Sequence, residues 1–317
     1  MRIRIALLVV AVAACCLPAN APAAQYQVRR LPGWLRATGL NDWGTVVAVS
    51  GTDSYVWKRH SVTLIPPLDG RSMQAIAINN NGMVAGSAYT SQGDPRPFAW
   101  TRLDGVRDLG GPGDGCYGYP IALQPAALND GGMVVGTLED ADCDRRAVWW
   151  DGHGMHYVPT YYGWANDVNS IGQVVGLEIV GDSPYNYAWY GFVWRAGRSP
   201  RLLRFHNSDT MATGINDKGT VVGFDGPGWW VLVPGHSVRA IPATGLLITN
   251  HQIIGLSSDG FATWNLRGRN RQLIRLRHGW QIDSIVDANN RGQLIGTAHR
   301  PGEDTVSVLI RPTQRPS

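Results

Sequence analysis

The sequence predicts an all-β protein: a seven-bladed β-propeller of four-stranded antiparallel blades, closed by the N-terminal strand completing the last blade. Three observations predict it. The composition suits strands and turns rather than helices, with 39 Gly, 13 Trp and two lysines, Lys58 and Lys218, among 317 residues. One pattern recurs seven times, at intervals of 32 to 50 residues. The first and last segments of the mature chain each look like part of a blade. With 44% hydrophobic and 16% charged residues there is enough apolar surface for a core, which excludes an intrinsically disordered chain.

The chain opens with a targeting segment. Arg2 and Arg4 precede an apolar run from Ile5 to Leu17, followed by Pro18 and the small residues Ala19 to Ala24. This is the layout of a secretory signal peptide, residues 1–24, cut after Ala23 or Ala24. The competing reading takes Val12-Ala13-Ala14-Cys15 as a lipobox, with the chain an outer-membrane lipoprotein scaffold anchored through Cys15. The expected location is secreted or periplasmic. No later segment reaches the length of a membrane-spanning helix. Loss of Arg2 and Arg4 lowers the formal charge from +4 and leaves 26 Lys and Arg against 24 Asp and Glu, so nothing in the balance calls for a nucleic-acid partner. Two cysteines remain, Cys116 and Cys143, and an even number in an oxidising compartment favours a disulfide between them.

Residues 25–317 read as a single domain of seven repeats. The aligned strings are ATGLNDWGTVVAVS from Ala37, AIAINNNGMVAGS from Ala75, PAALNDGGMVVGT from Pro125, ANDVNSIGQVVGL from Ala165, ATGINDKGTVVGF from Ala212, TGLLITNHQIIGL from Thr244 and IVDANNRGQLIGT from Ile285. Their reference positions are Asn41, Asn79, Asn129, Asn169, Asn216, Ile248 and Asn289. An apolar stretch ends at Asn and a Gly follows three residues later. Asn tolerates left-handed backbone and Gly supplies positive φ, so each pair predicts a tight turn between antiparallel strands. The next run, such as Val134-Val135-Gly136, is β-branched with a Gly suited to close backbone approach. An aromatic strand follows (Tyr55-Val56-Trp57, Phe98-Ala99-Trp100, Phe192-Val193-Trp194), then a polar turn and a last short strand. Four short strands in about 40 residues make a propeller blade. The last repeat supplies three strands, ending in Val306 to Ile310, and Tyr26 to Pro32 looks like the missing fourth. Pairing the two removes the free edges.

The strings INDKGTVVG, and FAW or FVW before a turn, resemble the HAF repeat, an extracellular repeat of bacteria, over nearly all of residues 37 to 310. The tripeptide that names the family reads Arg96-Pro97-Phe98 and Tyr190-Gly191-Phe192 here, without its His, so no role for that His carries over. The resemblance implies an exported, propeller-like protein and no particular activity.

In such a blade the 1–2 and 3–4 turns share one face, and the 2–3 and 4–1 loops share the other. The second set is long and variable here (87–97, 110–125, 138–146, 177–191, 297–305), and variable loops on a rigid scaffold are the usual seat of binding. The loop set as a whole holds the candidate ligand-binding aromatics Tyr117, Tyr119, Tyr162, Trp164, Tyr185, Tyr187, Trp189 and Tyr190, beside Tyr161. Rings with polar tips stack on sugars or clamp peptides, and equally pack loops against one another. A run of Arg267, Arg269, Arg271, Arg275 and Arg277 with His278 reads either as an anion-contacting strand pair or as a solvated outer strand.

No cofactor or metal is expected. Asp140, Asp142 and Asp144 begin like a calcium loop, but Arg145 stands where an EF-hand needs Gly and Asp151 where it needs Glu, leaving only a looser Ca2+ site open. H-E-x-x-H, G-x-S-x-G, a Walker loop and C-x-x-C are all missing. The expected function is a monomeric, non-catalytic binding or scaffold module for an extracellular or periplasmic glycan or protein. The alternative is a polysaccharide lyase or hydrolase assembled around the channel.

Overall fold

The computed structural model describes residues 24–90, 95–111, 123–139, 144–183, 186–205, 209–226 and 228–313, and these contain strands and turns but no helix. The signal segment, Cys15, Cys116 and Cys143 lie outside the described residues.

The first strand, β1 (Ala24–Arg30), finds its partners at the far end of the chain. Next come five four-stranded antiparallel sheets, each in chain order. The first contains β2 (Arg36–Leu40), β3 (Val46–Ser50), β4 (Asp53–Lys58) and β5 (Ser61–Ile65). The second contains β6 (Gly70–Ile78), β7 (Val84–Thr90), β8 (Pro95–Thr101) and β9 (Gly105–Asp108). The third contains β10 (Leu123–Leu128), β11 (Val134–Glu139), β12 (Arg145–Asp151) and β13 (Gly154–Tyr157). The fourth contains β14 (Tyr162–Val168), β15 (Gln173–Ser183), β16 (Asn186–Arg195) and β17 (Arg201–Leu203). The fifth contains β18 (Thr210–Ile215), β19 (Val221–Asp225), β20 (Gly228–Leu232) and β21 (Arg239–Ile241).

The remaining strands are β22 (Thr244–Ile248), β23 (Gln252–Ser257), β24 (Gly260–Asn265), β25 (Gln272–Leu276), β26 (Gln281–Ala288), β27 (Leu294–His299) and β28 (Val306–Pro312). With β1 they form one eight-stranded sheet, ordered β22-β23-β24-β25-β1-β28-β27-β26. β1 runs antiparallel to β28, pairing Tyr26 with Pro312 and Arg30 with Val308. That is the closure expected from the two ends. It also does something unforeseen: its first residues pair in parallel with β25, Tyr26 against Leu276. Tyr26 is 3% exposed, and burial pushes its hydroxyl up to about 12, against the opposing effect of Gln252.

The first strands of successive sheets are the inner ones and touch in a closed circuit, β2 meeting both β6 and β26. The turns leaving them carry the recurring Asn. Its predicted role needs correction. Gly44, Gly82 and their counterparts do take positive φ, but no turn Asn does. The Asn acts through its side chain instead. Oδ1 of Asn41 accepts the N–H groups of Trp43 (3.1 Å) and Thr45 (3.0 Å), while Nδ2 donates to the Asn79 carbonyl in the next sheet (3.0 Å). The same step runs from Asn79 to Asn129, Asn169, Asn216 and Thr249, and from Asn289 back to Asn41 (2.8 Å). The sixth reference position is therefore Thr249 and not Ile248. Its turn is one residue shorter, with Thr249 N–H bonded to the Gln252 carbonyl, and this displaced the sequence alignment.

A second belt lies one residue further on. The N–H of Asp42 donates to Asn80, Asn80 to Asp130, Ser170 to Asp217, Asp217 to Asn250, Asn250 to Asn290, and Asn290 to Asp42, all at 2.8–2.9 Å. Burial opposes ionisation of Asp217, but the Asn250 amide and the Ser170 N–H outweigh it and hold the carboxyl below its usual range. In the fourth and last repeats an Asp precedes the turn Asn by two residues. Asp167 accepts the Ile215 N–H and Asp287 the Leu40 N–H, both at 2.9 Å, so each carboxylate caps a backbone N–H on the buried inner edge of the following sheet.

Packing between sheets follows the aromatic strand. Trp57, Trp100, Trp150, Trp194 and Trp264 lie opposite Val46, Val84, Val134, Val174 and Ile253, and all five are buried. The glycine of the second strand answers a β-bulge in the first. A Cβ on Gly176 would meet the Trp164 carbonyl at 1.8 Å and the Phe192 ring at 2.9 Å. Backbone and ring together leave room for hydrogen alone.

Candidate functional site

The 1–2 turns follow one pattern; the opposite face does not. Residues 177–191, expected as a loop, are mostly a continuation of β15 and β16, paired from Leu177–Gly191 out to Ser183–Asn186. These strands have 11 and 10 residues, against 5 and 5 for β19 and β20 in the next sheet, so the hairpin stands above its neighbours. Likewise Leu138 and Arg146 are paired rather than looped.

Of the predicted aromatics, Tyr117, Tyr119 and Tyr185 lie outside the described residues, as do Asp140 and Asp142. The others divide into two groups. Tyr162 and Trp164, with Tyr161, enter β14 and face β12 of the preceding sheet. Arg145 lies 5.7 Å from the Trp164 ring centre and Arg146 lies 5.9 Å from that of Tyr161. Tyr161 and Tyr162 meet edge to face at 4.5 Å. Burial, then the charge of Asp144, raises the Tyr162 hydroxyl above its ordinary value. Arg145 also bonds Glu139 (3.3 Å), and Arg146 lies 3.9 Å from Asp144.

The second group belongs to β16. Tyr187 and Trp189 alternate with Tyr190, so they leave opposite faces of the strand. Tyr187 is 55% exposed and Trp189 40%, and Asp209 fixes the Trp189 N–H at 2.9 Å. Tyr190 lies under Arg204, 4.6 Å from the ring centre, and pairs across the strand with Glu178. Burial raises the Glu178 carboxyl, although the Tyr161 N–H (3.2 Å) and Arg204 work against the shift. Sequence reasoning missed Arg204 and Glu178, which link the two groups; only their place beside aromatic-rich strands hinted at them. Trp164, Tyr161 and Tyr190 carry a guanidinium, although Tyr161 is still 62% exposed, whereas Tyr187 and Trp189 are exposed with no guanidinium over them.

The arginine run does not form one surface. Arg267 and Arg269 sit in a turn capped by Asn265, Arg271 pairs with Asp259, and Arg277 bonds Gln25 of β1 at 2.9 Å. A groove of about 520 Å3 lies on the turn face between the fourth and fifth sheets, lined in part by Ile171, Val193, Arg201, Lys218, Leu232 and His236. Among the described residues no helix is long and apolar enough to cross a membrane.

No family model matches the chain, and neither does any curated protein. Solved structures do. The tricorn protease superposes with a TM-score of 0.60 at 9% identity, over 93% of this chain and 36% of that one. The β-propeller domain of the Trilobed protease from Pyrococcus furiosus gives 0.59 at 9% identity, over 94% and 96%. A puromycin hydrolase gives 0.58 at 12% identity, over 90% and 54%. The chain thus spans about a third and about a half of the tricorn protease and puromycin hydrolase chains. At these identities the likeness defines the fold, a β-propeller scaffold. The Pyrococcus domain is described as having an open velcro topology, whereas here β1 and β28 are paired.

Proposed function

We propose that this chain is an exported, non-catalytic, seven-bladed β-propeller that binds a protein or glycan through the loop face of its fourth blade. The eight-stranded sheet counts as two blades, each of four strands, joined where β1 meets β25. The seven successive turns of the Asn belt support that count. The signal-like leader and the resemblance to HAF repeats support export.

The observation that carries the binding reading is the overlong β15–β16 hairpin with Tyr187 and Trp189 exposed on it. A rigid aromatic pair loses little side-chain entropy on contact and contributes large apolar area. A solved neighbour, YCF48 bound to D1 peptide, has a TM-score of 0.50 at 11% identity, so the scaffold type accommodates a peptide ligand.

The test is an immobilised panel of glycans and extended peptides probed with the mature protein. Saturable binding without turnover, lost in Tyr187→Ala/Trp189→Ala while the unfolding midpoint is unchanged, supports the assignment. Binding that survives the double variant overturns it, and glycan turnover would favour the polysaccharide-active alternative. The mass of the exported protein distinguishes a chain starting near Gln25 from one lipidated at Cys15.

A further inference from the structure

The turn face holds a charged feature where the last strands meet the first sheet. Arg311 of β28 lies opposite Gln27 of β1, and Arg29 is two residues along. Both guanidiniums therefore leave the same side of the sheet, the side on which Leu309 packs against Trp57 and its neighbours. Arg29 crosses the Trp57 ring at 4.8 Å, reaches the His60 ring at 3.1 Å and donates to the Arg59 carbonyl. Arg311 extends to the first turn, where a Cβ on Gly44 would lie 3.5 Å from its terminal nitrogen. Arg291 covers the Trp43 ring of that turn at 4.5 Å.

Among the described residues none of these three arginines has a carboxylate partner. Arg311 is the telling one. Among the described residues three arginines bury an Nε with no acceptor: Arg271, Arg300 and Arg311. Arg271 compensates through Asp259 and Ser257, and Arg300 through Glu303 at 3.7 Å and the Trp280 ring at 5.0 Å. Arg311 has neither kind of partner. Desolvation, and then the like charge of Arg29, push its guanidinium below its ordinary value. A partly buried cation facing another cation is costly unless an anion completes the set.

We propose that this junction is an oxyanion site, in which Arg311 and Arg29 grip a phosphate-type group and Arg291 guards its rim. Guanidinium forks match the geometry of phosphate oxygens, and two of them on the same side of the sheet favour a doubly accepting anion over chloride. The group belongs either to a soluble phosphate ester or to a phospholipid headgroup. The site lies on the face opposite Tyr187 and Trp189 and stands or falls without them.

Two arms test it on the full mature chain. Calorimetric titration with inorganic phosphate at constant ionic strength is expected to show one site, weakened about tenfold or more in Arg311→Met and in Arg29→Met and unchanged in Arg201→Met. Co-sedimentation with phosphatidylglycerol vesicles, against phosphatidylcholine vesicles, separates the sources: Arg311-dependent retention assigns the headgroup, and phosphate binding without retention assigns a soluble ligand. In chloride alone, Arg311→Met should unfold at a midpoint no lower than that of the parent, because it sheds an unpaired charge and keeps an apolar stem. A lower midpoint means that Arg311 has a partner within the protein, and this overturns the proposal. So does the lack of Arg311-dependent binding in both arms.

Discussion

The two faces of the ring are built on different principles. On the turn face one device is copied from sheet to sheet: an Asn that closes its own hairpin with Oδ1 and holds the next sheet with Nδ2. On the loop face the hairpins differ in length, and the fourth raises one that its neighbours lack. Copied residues bear the fold and singular residues bear what the fold presents. The exceptions within the copied face teach the same lesson. Thr249 interrupts one belt and Ser170 the other, yet Thr249 still accepts from the preceding sheet and Ser170 still donates to the following one, so a ring of small contacts tolerates a gap that one large contact would not.

The largest effect should come from breaking closure, which both faces depend on. Tyr26→Ala removes a buried ring where β1 joins β25 and β28, and should cost about 3–5 kcal/mol of unfolding free energy by the precedent of large aromatic truncations. Chemical denaturation measures it. A loss below about 1 kcal/mol would mean that the two ends of the chain do not hold each other. Next in size is a copied residue. Asn129→Ala strips the Met133 N–H of its acceptor and the Asn169 carbonyl of its donor, both at the buried turn. About 2–3 kcal/mol is expected. The equivalent change at Thr249 should cost less, because no amide there reaches the following sheet.

How much of this was legible in the sequence follows from the same division. The repeat, the four strands per unit, the strand-two glycine and the pairing of the two ends were all readable, because each recurs or answers a missing part. The side-chain role of the turn Asn was not, since left-handed backbone and an Asx-type turn call for the same residue. Nor was the one-residue slip at Thr249, where a shortened turn left Ile248 in the aligned column. Asp167 and Asp287 did leave a signal, as the only carboxylates two residues ahead of the turn Asn. On the loop face the aromatic run from Tyr187 to Tyr190 was visible, but its partners Arg204 and Glu178 come from different strands and had no pattern to announce them.

Acid titration sharpens the comparison, since the two faces hold carboxylates shifted in opposite directions. Asp217 on the turn face is held below its ordinary value, so it contributes stability above the unfolded carboxylate range, lost as pH falls through its folded value. Glu178 on the loop face is raised. Its ionised form is the disfavoured one, so its cost appears as pH rises from the unfolded value and is complete above the folded one. Urea midpoints from pH 3 to 7 should therefore fall less steeply on the acid side for Asp217→Asn. The unfolding free energy of Glu178→Gln should lie slightly higher at neutral pH, by under about 1 kcal/mol since the group is only partly buried. Identical profiles for the two variants would remove the distinction.

The smallest effect on stability is expected at the residues singled out for recognition. Tyr187 and Trp189 are 55% and 40% exposed, and neither belongs to a packed core cluster. Truncating an exposed ring on a strand forfeits little burial, so Tyr187→Ala and Trp189→Ala should each shift the unfolding free energy by no more than about 0.5 kcal/mol. The Asp209 carboxylate bonds the backbone N–H of Trp189 rather than its ring, so the hairpin keeps its register in the variant. A loss of 2 kcal/mol or more, on the order of a core truncation, would reclassify these rings as packing for the hairpin and withdraw the contact surface. A null effect on folding with a full effect on partner binding is the signature of side chains kept for what they touch outside the molecule.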